Sequence, residues 1–119
     1  MFRSIGFACA AGLALAAGPA AAEGWSITKL GTMATVDECM QKARKVISAY
    51  MFDKGGAETG ADSWSIYGYD LEPGAQDVVI VCPVGASEQV NAMLVIQSES
   101  EPADRKAVSD ALLRLWDGE

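Results

Sequence analysis

The sequence predicts an α+β fold in the order β-α-β-β-β-α: a four-stranded, mostly antiparallel sheet with two helices packed on one face. Three observations carry that reading. A helix-start signature at 35–38 leads into apolar residues at helical spacing. Blocks rich in β-branched and aromatic residues alternate with Gly/Pro turns. A proline near the end opens a second amphipathic stretch.

Gly24 to Leu30 (GWSITKL) alternates apolar and polar residues, so it reads as a short first strand, with Trp25, Ile27 and Leu30 as its packing candidates. Thr35-Val-Asp-Glu38 has the capping-box spacing, in which a threonine oxygen accepts an orphan backbone N–H and the glutamate reaches back. A helix is expected from Val36 to about Met51. Its apolar stripe is Val36, Cys39, Met40, Ala43, Val46, Ile47 and Tyr50, stepping by three and four. Lys42, Arg44 and Lys45 flank that stripe, late enough to suit the negative end of the helix.

Asp53 to Ser63 is polar, with three glycines, and reads as a loop; its carboxylates lack the alternating spacing of a calcium loop. Trp64 to Leu71 is the second strand, with Ser65, Tyr67, Tyr69 and Leu71 on one face and Trp64 and Ile66 on the other. Glu72-Pro-Gly-Ala75 places Pro and Gly as a type II turn requires. Asp77 to Val84 is the third strand, apolar on both faces as a central strand is, with Pro83 expected to interrupt pairing. Cys82 shares a face with Val78 and Ile80.

Val90 to Ser98 is the fourth strand. Val90, Ala92, Leu94 and Ile96 face one way, and Asn91, Met93, Val95 and Gln97 the other. Pro102 fits the first turn of a final helix with the stripe Ala107, Val108, Ala111, Leu112, Leu115 and Trp116. The first strand can lie at either edge, because the connection through the helix fixes no strand order.

Residues 1–22 have the pattern of a secretory signal peptide, leaving 23–119 as a single small domain. Arg3 is the only charge, 5–17 is uncharged, Gly18-Pro19 breaks any helix, and Ala20-Ala-Ala22 offers the small residues a signal peptidase needs. An uncleaved anchor is the weaker reading, since the stretch is Ala/Gly-rich and interrupted. A lipoprotein is weaker still, since Cys9 lies inside the apolar stretch. Cleavage before Glu23 leaves 8 basic and 16 acidic residues, a net charge of −8. An exported protein, periplasmic or extracellular, is the expectation. So acidic a chain has no electrostatic reason to seek nucleic acid, or a membrane once the signal is removed.

Export makes the remaining cysteines a pair. Cys39 on the helix stripe and Cys82 near the end of the central strand are expected to form a disulfide in an oxidising compartment. Both lie on apolar faces, and neither belongs to a C-x-x-C motif, so the reading is a structural staple and not a redox site.

The chain has no histidine. Catalytic triads, Cys-His pairs and zinc-histidine sites are therefore excluded. No nucleophile motif, phosphate loop or cofactor fingerprint is present, and no metal or cofactor is expected. The acidic residues fall mostly at turns and caps. The expected function is a non-catalytic binding or protein-interaction module; the competing class is a small hydrolase working through two carboxylates.

Two helices cover one face of a small sheet, and the other face would carry Tyr67, Tyr69, Val79, Val81, Met93 and Val95. Either the first strand, the 53–63 loop or a helix covers those residues, or they form a surface for a second copy of the chain, a protein partner or an apolar ligand.

Overall fold

The computed structural model describes residues 23–119; the signal-peptide reading of residues 1–22 lies outside the described residues. The element order is β1 (Gly24–Met33), α1 (Val36–Lys54), β2 (Glu58–Ala61), β3 (Ser65–Leu71), β4 (Gln76–Val81), β5 (Val90–Ser98) and α2 (Pro102–Trp116). The fold is α+β with two helices and an antiparallel sheet. The sheet has five strands, not four, in the order β1-β5-β4-β3-β2.

The additional strand lies within the stretch read as a loop. Glu58–Ala61 has no apolar alternation, because it buries no side-chain face; it is held by main-chain pairing to the exposed edge of β3. Ala57 N–H donates to Tyr69 O at 2.8 Å and Asp62 N–H to Ser65 O at 3.1 Å, bracketing that pairing. The sheet thus ends in a very short strand on one side and the ten-residue β1 on the other.

Helix α1 starts where the capping signature places it. Thr35 is extended (φ −135°, ψ 157°) and its Oγ1 accepts the Glu38 N–H at 3.1 Å. The helix runs to Lys54, beyond the expected Met51, and Gly55 N–H closes it on Met51 O at 2.8 Å. Cys39, Ala43, Val46, Ile47 and Tyr50 are buried against the sheet. Lys42, at the flank of that stripe, lies 4.6 Å over the Trp116 ring, a cation–π contact between the helices.

The core lies between the helices and one sheet face. Val78, Ile80, Leu94 and Ile96 supply the sheet side, with Val108 and Leu112 of α2 among the residues closing it. In α2 the buried set is Arg105, Val108, Ser109, Leu112 and Trp116. Ala107 and Leu115, expected in the stripe, are exposed, because the face turned to the sheet begins one turn earlier, at Arg105.

Leu71 also departs from its expected face. The β3–β4 register shifts between Gly68 and Leu71, where Asp70 has φ 56°; the extra residue turns Leu71 into the core. Gly68 is a close-approach position: a Cβ there would stand 2.8 Å from Ile47 Cγ2 and 3.0 Å from Leu71 Cδ1. The Glu72–Pro73 peptide is cis, and Gly74 and Ala75 both have positive φ, so the turn differs from the expected type II.

Candidate functional site

Cys39 and Cys82 are disulfide-bonded, with Cα atoms 6.0 Å apart, and both are fully buried. The bond ties the first turn of α1 to the chain just beyond β4, where Cys82 N–H also donates to Trp64 O at 2.8 Å. A thiol sealed from solvent offers no entry to a redox partner, so this geometry acts as a staple.

Among the described residues, no helix lies on the other sheet face. The inward residues of β4 and β5 are buried by α1 and α2, while the alternate residues Val79, Val81, Met93 and Val95 are half-buried and contribute to the opposite surface. Tyr67 and Tyr69 of β3 join them, so the structure brings together on one face all six residues expected there. Neither β1, the 53–63 segment nor a helix lies over them: the first two are edge strands of the same sheet.

Strand register organises that face into rows. Ile27, Val95, Val79, Tyr67 and Gly60 are successive partners across all five strands. A second row runs Lys29, Met93, Val81 and Ser65. On the other side of the first row, Trp25 pairs with Gln97, and Gln97 with Asp77. Trp25, Tyr67, Tyr69, Val79 and Val95 line a shallow depression of about 220 Å³ there.

The tyrosines are held in place. Their rings stack 8° from parallel with centroids 6.3 Å apart. Tyr67 Oη donates to Asp62 Oδ2 at 2.8 Å, and Asp62 Oδ1 accepts the Trp64 N–H at 3.1 Å. The phenol bond, followed by the Trp64 amide, holds the Asp62 carboxyl below its ordinary range; the same phenol bond raises Tyr67. Tyr50, on the helix side, donates to Glu72 O at 2.6 Å, and burial, followed by the charges of Asp53 and Glu72, raises its phenol.

Trp25 and Ile27, expected to pack, are instead 68% and 65% exposed, at the margin of the helix-free face. The signal was present: Lys29 shares their face by the two-residue period, and a lysine turns to water. Ser26 and Thr28 point inward instead, where Thr28 Oγ1 and Ser109 Oγ lie 2.9 Å apart between β1 and α2. Arg105 was missed as well. Its guanidinium is buried and Nη1 donates to Ser98 O at 3.3 Å and Ser100 O at 2.8 Å.

Carboxylates share three surface grooves: Glu23, Asp77 and Glu99 at the sheet end, Glu38 with Asp117, and Asp53 with Glu119. All are exposed to water, unlike the desolvated carboxyl that serves as a glycosidase acid. Among the described residues, no cluster of three or more Cys, Asp or Glu side chains is placed to hold a metal ion. Within the same residues no helix is long and apolar enough to cross a membrane.

No protein-family model matches the chain, and no curated protein or solved structure is significantly similar to it. The functional reading therefore rests on the geometry of this surface.

Proposed function

We propose that the chain is a small exported, non-catalytic binding module that engages a protein partner through the helix-free face of its sheet. The observation carrying this reading is the row Ile27–Val95–Val79–Tyr67, apolar and aromatic over four adjacent strands, with no helix or strand above it among the described residues. A stable monomer gains nothing from keeping such a surface wet, since apolar area removed from water is worth about 25 cal/mol per Å². Tyr67, held by its hydrogen bond to Asp62 and stacked with Tyr69, suits recognition, because less side-chain entropy remains to be lost on binding.

The buried disulfide is compatible with export, since an oxidising compartment forms and preserves such a bond. The test is capture from the exported fraction by the protein and by Val79→Lys, which puts a charge at the centre of the row without touching the core. The expected result is a partner retained by the natural chain and lost by the variant. Equal capture by both would remove this face from the function.

A further inference from the structure

The two edges of the sheet are unlike. On the β2 side the edge is four residues long and contains a glycine, a form that resists pairing with another chain. On the β1 side the edge is ten residues long, with neither proline nor bulge from Gly24 to Lys29; its only register shift comes between Lys29 and Gly31. No strand lies beyond it in the sheet order, so its outer edge carries main-chain groups without a sheet partner among the described residues. Trp25 and Ile27, two of the most exposed large apolar side chains described, sit on this strand.

We propose that β1 is the seat of a homodimer: two copies pair antiparallel through this edge, about a two-fold axis at Ser26, and join their sheets into one of ten strands. The register follows from side-chain complementarity. With Ser26 facing its own copy, Trp25 lies opposite Ile27 of the second chain, and Ile27 opposite Trp25. Glu23 lies opposite Lys29, and Lys29 opposite Glu23. Gly24 faces Thr28 on the inner side.

Aromatic–β-branched pairs and opposite charges are the cross-strand combinations that stabilise antiparallel neighbours, and no like charges meet. An axis at Ile27 instead leaves both ends of the Trp25–Lys29 run as tryptophan–lysine pairs and gives Glu23 no opposite charge. The two-fold is perpendicular to the sheet, so both helix-free faces lie on the same side of the joined sheet. The pairing uses the edge and leaves the row from Val95 to Tyr67 open, so it is independent of what occupies that face.

The purified protein tests this without any partner. Two edge strands bury less than the ~1,200 Å² of standard interfaces, so association is weak and solution mass is measured at roughly 100 µM. The expected mass is twice that of the chain. Trp25→Glu combined with Ile27→Glu sets carboxylates opposite each other and returns the mass to that of one chain with unchanged circular dichroism. Val79→Lys, two strands away on the open face, leaves the dimer intact.

Ser26→Cys forms an intermolecular disulfide under mild oxidation, because directly opposed residues have Cα atoms about 4.5–5.5 Å apart. Ile27→Cys does so poorly. A monomer at this concentration overturns the proposal, as does a dimer abolished by Val79→Lys or one cross-linked through Ile27→Cys in preference to Ser26→Cys.

Discussion

Arg105 lies beneath Gly24: a Cβ added to that glycine would overlap the guanidinium, which donates to the Ser98 and Ser100 carbonyls at the end of β5. A buried cation thus links the start of β1, the end of β5 and the first turns of α2. No carboxylate among the described residues forms a salt bridge with it; main-chain oxygens and Ser98 Oγ are its partners. The fork of donors matters here, since a lysine cannot reproduce its geometry.

Arg105→Met is expected to destabilise the fold by about 1–3 kcal/mol, the usual cost of leaving buried acceptors unpaired. Arg105→Lys should recover only part of that loss, and Gly24→Ala should mimic it by displacing the guanidinium. Urea melts of the three variants measure the order. An Arg105→Met midpoint equal to that of the natural protein would show that the network contributes nothing to stability.

The Cys39–Cys82 bond closes a loop spanning a sequence separation of 43. In the chain-entropy model a loop of that length is worth roughly 4 kcal/mol, and less where the reduced chain retains structure. Against the ~5–15 kcal/mol of a whole domain this is a large share. Cys39→Ala with Cys82→Ala should lower stability by up to about that amount, read as a shifted denaturation midpoint. Because the sulfurs are buried, the native protein should also resist reduction under conditions that reduce the unfolded chain.

Gly68 admits α1 to the sheet. Gly68→Ala places a methyl against Ile47, Leu71 and Val78, whose nearest atoms lie 2.8 to 3.1 Å from the new Cβ. Overpacking of this kind costs about 1–3 kcal/mol. In a double-mutant cycle with Ile47→Ala, which removes the Cγ2 nearest the new Cβ, the two losses should be less than additive; a double variant as unstable as the sum of the singles would place the strain elsewhere.

The Asp62–Tyr67 bond makes a pH prediction of known sign. Asp62 is lowered in the folded protein, chiefly by the Tyr67 phenol, so its contribution to stability is present above the ordinary carboxylate range and lost as pH falls through the folded value. Tyr67 is raised, chiefly by the same bond, so its contribution is present below the ordinary phenol range and lost as pH rises through the folded value. Asp62→Ala should bring Tyr67 titration back towards that of a free phenol. Tyrosinate absorbance, with Tyr69→Phe to simplify the signal, reads the change; an unmoved curve would mean that the bond is not formed in solution.

Much of this was legible in the sequence where side chains carry the signal. The two-residue period placed Val79, Val81, Met93 and Val95 on one face and Val78, Ile80, Leu94 and Ile96 on the other. The capping residues placed the start of α1, and the apolar positions of Cys39 and Cys82 led to their pairing. Where the backbone carries the signal, it was not. Glu58–Ala61 is a strand through main-chain bonds alone, so no periodicity marks it. Leu71 changes face through one extra residue at a bulge. Arg105 reads as a solvent-facing charge until the chain brings the carbonyls of β5 to it. Trp25 and Ile27 look like packing residues by hydrophobicity alone, while their shared parity with Lys29 marks the outward face.

The central claim is that the helix-free face meets a partner where the protein works. Hydroxyl-radical labelling, performed on the protein in its native exported fraction and on the purified protein, tests it most directly. Tyr69 and Met93 lie on that face, while Phe52, 95% exposed on α1, lies on the opposite side of the molecule. The prediction is that Tyr69 and Met93 are shielded in the native fraction while Phe52 is labelled equally in both. Equal labelling of all three in the two samples, or shielding of Phe52 alone, would contradict it.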